Sequence, residues 1–242
     1  MTRSQLWVEP PEYPTMAMRQ RAIQAEDKQE RRDAILDAAE HLLRDAPERV
    51  ASVAEVARQA GLAKGTVYLY FPSKEELLLA VHERRVDGFF RELCVLVERE
   101  PTPAFDTLFA LTRTHLVEPP LFLPLAARCF GLMTHSIPPA AALAFKQRMA
   151  ERLERAGAGI ERHFPVPTLA AGDGVALLRR CHAMILGLWQ MSIAVGCGAG
   201  DASTDTAVPP AFAWSYPVEL EGALRALWQG TIAAPPTTED TQ

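Results

Sequence analysis

SVAEVARQAGLAKGTVYLYFPSKEELLL, residues 52–79, is the stretch from which the architecture of this chain can be read. Ser52 stands before the apolar series Val53, Val56, Ala57 and Ala60, whose spacing predicts one face of a helix. Glu55, three residues after Ser52, completes a capping box. Gly61 must end that helix, because glycine enters the left-handed region without steric penalty and lets Leu62 fold back onto the apolar face. A second helix from about residue 63 to 71 is too short to stand alone, so Val67 has to pack on the first. Lys64, Thr66 and Tyr68 then keep polar or outward-facing ends. Two short helices joined by a tight turn form a helix-turn-helix. Pro72 cannot continue the second helix, and Ser73 with Glu76 predicts another capping box, opening a helix that carries Leu77, Leu78 and Val81.

The run Val56-Ala57, Ala60-Gly61-Leu62, Lys64-Gly65-Thr66-Val67-Tyr68, Tyr70-Phe71 and Ser73-Lys74-Glu75-Glu76-Leu77 closely resembles the DNA-binding domain of the TetR/AcrR family of transcriptional regulators. The resemblance extends over about residues 28–81; beyond it, length and helicity are the only match. It implies an all-α fold, with an N-terminal three-helix helix-turn-helix DNA-binding domain plus a C-terminal helical ligand-binding and dimerisation domain. The expected division is a disordered head at 1–15, the DNA-binding domain at 16–73, the effector-binding and dimerisation domain at 74–233 and a disordered tail at 234–242.

Composition agrees with that plan. The chain has 242 residues, 48% of them hydrophobic, and a formal net charge of -5. Such a balance argues against a generally basic nucleic-acid coat protein, while leaving room for a few placed cations and backbone donors to hold DNA. Cys94, Cys129, Cys181 and Cys197 form no CxxC pair and no metal-ligand spacing, so they are expected to be reduced thiols in a cytoplasmic protein. Glu9, Pro10, Pro11, Glu12 and Pro14 stand where a secretion signal would need a continuous apolar core. The apolar segment 183–195 is interrupted by Gln190 and Ser192 and falls short of the roughly 18–20 apolar residues that cross a bilayer. It reads as a buried helix, with no membrane partner.

Along the chain, Arg19, Arg21, Lys28, Arg31 and Arg32 precede the series Ile35, Ala38, Ala39, Leu42 and Leu43, the inner face of a first helix. Most of these upstream charges read as a solvated face. In the resembled family a basic extension here sometimes enters the minor groove, which makes Arg19 and Arg21 candidates for that role. A fourth helix is expected from residue 74 to about 98, linking the domains, with Gly88 as a possible bend. Helical patterns recur at 104–117, 121–135, 140–164, 171–196 and 217–233, so the second domain reads as a bundle. The connection 196–216 is unusually long. Phe212, Trp214 and Tyr216 near its end suit either a groove on the same or a partner subunit, or the packed end of a mobile loop.

A short helix in the major groove offers its N-terminal residues to base edges and its flanks to phosphates. Lys64 suits guanine, and Gly65 allows close approach of the backbone. Thr66 suits a thymine methyl or a phosphate. Tyr68, Tyr70 and Lys74 suit phosphates, and the helix start at Ser52 offers backbone donors. By resemblance, Lys64, Gly65, Thr66, Tyr68, Tyr70 and Lys74 match positions the family uses against DNA. Leu69, at another contact position, is apolar, which puts that contact in doubt. The tyrosines equally suit the small domain's core, Tyr70 more than Tyr68.

The resemblance further implies a homodimer formed through the last two long helices, bound to palindromic double-stranded operator DNA, and a pocket for a small-molecule effector. Phe109, Phe130, Met133, Met184, Trp189 and Met191 would supply an apolar, adaptable lining, with His115, Arg128, His135 and His182 as polar anchors. An apolar or amphipathic effector would shift the fourth helix and release the DNA, as in a repressor. No cofactor, metal or catalytic residue is expected, because HExxH, GxSxG, P-loop and GxGxxG motifs are absent. The alternative is a TetR-like co-activator acting through a protein partner without DNA binding; retention of Lys64, Tyr68 and Lys74 argues against it.

Overall fold

A computed structural model describes residues 16–46, 49–99, 102–164, 168–194, 209 and 213–233, with the side chains of 16–23 and 134–135 excepted. Among the described residues the chain is helical and contains no strand. The expected head and tail, Arg19, Arg21 and His135 as side chains, Cys197 and Phe212 lie outside the described residues.

Helix α1 (Met16–Asp45) is exposed over residues 24–31 and turns apolar at Ile35 and Leu36, both fully buried. The upstream charges, where described, are thus a solvated face. Helix α2 (Val53–Gln59) begins as its sequence dictates. The Ser52 hydroxyl accepts from the Glu55 amide, and the Glu55 carboxylate accepts from the Ser52 amide at 2.8 Å. Its end is a Schellman motif, with Gly61 at φ +67°, the Gly61 amide on the Arg58 carbonyl and the Leu62 amide on the Ala57 carbonyl. Helix α3 (Lys64–Tyr70) has no side-chain cap, and Val67 holds it to α2 with none of its surface exposed. Phe71 closes the turn beneath the Arg32 guanidinium, which lies 5.3 Å from its ring centre.

Helix α4 (Lys74–Arg99) starts at Ser73, whose hydroxyl accepts from the Glu76 amide at 3.1 Å and donates to the Glu76 carboxylate. It touches everything that matters. Leu77, Leu78 and Val81 complete the core under α1 to α3, whereas Phe89, Phe90, Leu93 and Val97 enter a second core. In between, charged residues fix its rotation. Arg84 and Arg85 bind Glu40 of α1 at 2.6 and 2.9 Å, and Arg84 also binds Asp37.

Helix α5 (Phe105–Thr112) passes into a π-helical turn (Arg113–Val117), followed by α6 (Phe122–His135) and α7 (Pro139–His163). Arg148 and Arg152 of α7 grip the buried Glu83 of α4 at 2.6 and 3.1 Å, and Arg152 reaches Asp87 as well. Burial pushes the Glu83 carboxyl up, but the two guanidinium groups outweigh it and its pKa is lowered. Helix α8 (Asp173–Ala194) runs against α7 where Gly157 meets Gly174 and Val175 backbone to backbone, with no room for a Cβ. Glu161 of α7 caps α8 by accepting from the Gly172 and Gly174 amides, both at 2.9 Å. Helix α9 (Tyr216–Ala233) buries Leu220 and Leu224 against the second core. The Tyr216 hydroxyl donates to the Ile185 carbonyl at 3.1 Å, so this aromatic seats on α8 of its own subunit. Three cysteines, Cys94, Cys129 and Cys181, are free thiols, as their spacing predicts.

Candidate DNA-recognition face and effector cavity

The geometry of α3 follows from its one buried anchor. With Val67 turned inward, a 100° step per residue puts Lys64, Tyr68, Gly65 and Leu69 on one outward arc. All four are exposed, Tyr68 at 43% and Leu69 at 84%. Thr66 is half-buried at the edge of that arc, and Tyr70 is half-buried against the core of the small domain. The Lys64 ammonium lies 5.8 Å from the Tyr68 ring centre, so the two side chains present a single cationic and aromatic surface. Lys74 is exposed at the start of α4, with Glu75 at a loose 3.8 Å.

At the helix start the Ser52 hydroxyl and amide are both engaged with Glu55, so the backbone donors expected there are the amides that follow Ser52. The amides that remain without an intrahelical partner at this end are those of Val53 and Ala54. Glu55 is also held by Arg49 at 2.7 Å, and that hydrogen bond, with those from Ser52, lowers its pKa to about 2. Leu69 is the opposite case. Its chemistry made its role doubtful in sequence, yet it is the most outward side chain on the helix.

The second core encloses a cavity of about 420 Å³ between α4, α5, α6, α7, α8 and α9. Phe109, Phe130, Met133 and His182 line it, as their sequence positions suggested. Five other expected lining residues, His115, Arg128, Met184, Trp189 and Met191, are not in its wall. His115 faces a separate shallow groove between α4 and α5 and pairs with Glu92 at 3.1 Å, because the π-helical turn rotates it away from the interior. Met184 and Trp189 pack against the second core, and Met191 is 57% exposed. Arg128 lies on α6 beside the wall-forming Cys129 and is itself outside the wall.

Residues that sequence reasoning passed over form most of the wall. Phe89 and Phe90 of α4, Phe105 of α5, Phe122 of α6 and Phe145 of α7 supply the aromatic surface. His82 of α4 is 6% exposed, lies between Phe122 and Phe145, and has its Nδ1 buried with no hydrogen-bond partner. Burial, with a smaller contribution from neighbouring His182, lowers its pKa to about 4, so the imidazole is neutral at ordinary pH. His182 remains more than a third exposed, yet enough protein surrounds it that burial lowers its pKa too. The arrangement can take up an apolar molecule and transmit its presence through α4, which borders both this cavity and the helix-turn-helix.

Comparison with known proteins matches the two parts of the chain separately. A family profile described as bacterial regulatory proteins, tetR family, matches residues 35–81; a second, described as Tetracyclin repressor-like, C-terminal domain, matches 83–235. The HTH-type transcriptional regulator EthR of Mycobacterium tuberculosis (strain ATCC 25618 / H37Rv) is 45% identical over 65 residues, 27% of this chain and 30% of EthR. The Fatty acid metabolism regulator protein of Bacillus subtilis (strain 168) is 34% identical over 59 residues, 24% of this chain and 30% of that protein. These matches therefore span under a third of either relative. SmeT, the repressor of the Stenotrophomonas maltophilia multidrug efflux pump SmeDEF, aligns over 87% of this chain and 96% of its own at 21% identity, with a TM-score of 0.47. With one profile on the helix-turn-helix and another on the helices that enclose the cavity, the chain belongs to the TetR family of bacterial regulatory proteins.

Proposed function

We propose that this chain is a cytoplasmic, ligand-responsive DNA-binding transcription regulator, acting as a homodimeric repressor that a small apolar or amphipathic effector releases from a palindromic operator. The observation that supports it most directly is the outward arc of α3, where Lys64, Gly65, Tyr68 and Leu69 are exposed together above the buried Val67. Lys64 and Gly65 sit at the N-terminal end that enters the major groove, with Tyr68, Tyr70 and Lys74 toward phosphates and Thr66 at the groove edge. One such helix reads too few base pairs for useful specificity, so a second copy is required. The outer faces of α8 and α9 suit that copy, since Met191, Ile193 and Val218 are exposed and Gly187, Gly222 and Gly230 leave open space for a close helix.

In this reading an effector in the cavity moves α4, whose ion pairs to Asp37 and Glu40 carry the movement into α1. The two recognition helices then no longer match major grooves about 34–36 Å apart. Linkage requires operator DNA to weaken effector binding by the same factor.

Fluorescence anisotropy with DNA from the protein's own promoter region, across a salt series, tests the reading. Wild-type protein should bind tightly, and Lys64→Ala should weaken binding and flatten the salt slope by about one. Wild-type binding no better than to unrelated DNA, there and in a genome-wide operator selection, would refute it in favour of a partner-protein role.

A further inference from the structure

The charged groups of the cavity wall lie on one side and are both cationic. Toward α5, α6 and α9 the wall is apolar, apart from Thr112 and Cys129, whose hydroxyl and thiol already donate to the carbonyls of Leu108 and Leu78. Toward α7 and α8 it carries Lys146, Arg179 and His182, and the wall includes no aspartate or glutamate. Lys146 and Arg179 are exposed and have no ion pair among the described residues, whereas Arg148, Arg152 and Arg155 of α7 are all paired with carboxylates of α4. The approach of Gly157 to Gly174 and Val175 fixes the antiparallel register of α7 and α8. That register brings Ala150 level with His182, so Lys146 and Arg179 flank His182 along the wall.

We infer that the effector is an amphipathic anion, with an apolar tail among Phe89, Phe90 and Phe122 and a carboxylate or phosphate head at Lys146, Arg179 and His182. This rests on the regulator reading above for its consequence, though not for its chemistry. The orientation follows from His82. Deep in the cavity this imidazole is neutral and ringed by phenylalanines, which gives an anion no counter-charge. At the α7–α8 edge two unpaired cations give it two, and the guanidinium of Arg179 can grip it with two parallel hydrogen bonds. The volume of about 420 Å³ suits a medium-length hydrocarbon chain.

The test is isothermal titration calorimetry of the full chain with dodecanoate, dodecyl phosphate and dodecan-1-ol, each below its aggregation concentration, on wild type and K146Q/R179Q. Both substitutions are at exposed positions, and a thermal melt confirms that the variant is folded. The anions should bind wild type at least about tenfold more tightly than the alcohol, a modest factor because exposed cations are screened. The double variant should lose that preference and keep its affinity for the alcohol. If only one of the two anions shows the preference, that head is the source. An alcohol that binds as well as the anions, a preference unchanged in the variant, or no binding of any of the three would overturn the inference. Operator anisotropy with the same ligands separates the two readings. Charge-dependent binding without DNA release sinks the regulator mechanism alone, and equal DNA release by alcohol and anion sinks the charge inference alone.

Discussion

Gly157→Ala sets two opposing effects against each other at one position. In the middle of α7 an alanine would ordinarily stabilise by about 0.5–1 kcal/mol, because glycine loses more backbone freedom on folding. Here the added Cβ would stand 2.7 Å from the Val175 amide nitrogen, 2.8 Å from Val175 Cγ2 and 3.1 Å from the Gly174 carbonyl carbon. The Val175 side chain can rotate away, but the backbone of α8 cannot, so the two helices must separate. Overpacking of this kind costs about 1–3 kcal/mol, which on central values outweighs the propensity gain and leaves a net loss of about 1 kcal/mol, and at most about 2.5 kcal/mol. For a chain of this size each kcal/mol lowers the melting temperature by roughly 2–4 °C. Gly131→Ala is the control, since a Cβ on Gly131 in α6 meets nothing within 4 Å and should raise stability slightly. Urea denaturation followed by circular dichroism, at fixed protomer concentration, measures both. A Gly157→Ala protein as stable as wild type, alongside a stabilised Gly131→Ala, would refute the claim that α7 and α8 touch through backbone.

Other outcomes follow from single contacts. Ser52→Ala removes the hydroxyl half of the capping box, leaving the residue-52 amide on Glu55, and should cost about 1 kcal/mol in the same urea assay; an unchanged midpoint would mean that α2 does not depend on its side-chain cap. Leu69→Asn should alter stability by less than about 0.5 kcal/mol, since the side chain is exposed, yet change base preference in an operator selection. If Leu69 meets thymine methyl groups, replacing operator thymine by uracil weakens the wild type and spares the variant. His82 makes stability pH-dependent with a definite sign. Its folded pKa of about 4 lies below the ordinary value of 6.5, so the unfolded chain takes the proton first. Stability is complete above 6.5 and falls as pH drops toward 4, by about 2 kcal/mol at pH 5. His82→Leu should remove that part of the acid sensitivity, and identical acid curves for the two proteins would disprove the burial argument.

The helix-turn-helix was legible because its determinants are local. Ser52 with Glu55, and Gly61 with Leu62, act within five residues of one another, so spacing alone determined their contacts. The later helix boundaries were legible for the same reason, since proline and glycine break the periodicity where α5 to α9 begin. The cavity was harder because its members are ordinary core residues until helices distant in sequence face each other. Phe122 and Phe145 carried no mark in the sequence, and form wall because α6 and α7 both pack on α4. His115 was misjudged because a π-helical turn shifts every later side chain by a fraction of a turn, and composition does not announce one. Lys146 and Arg179 did leave a signal. Neither has an acidic residue three or four positions away, unlike a cation that helps support an exposed helix.

The core that swallows Val67 does not end with the helices that read DNA. Leu121 before α6, Leu125 and Cys129 of α6, and Ala142 and Phe145 of α7 belong to the same cluster as Ile35, Val56 and Leu77, and Cys129 and Phe145 also border the cavity. The helix-turn-helix and part of the cavity wall therefore share one core, and are expected to melt together. On the proposed mechanism, a molecule seated in the cavity should protect the recognition helices from heat by RT ln(1 + [L]/Kd), even while it lowers their hold on the operator. Heat resistance and DNA affinity should accordingly move in opposite directions across a series of effectors, so that a simple dye-based melting screen of the whole chain ranks compounds before any operator is known.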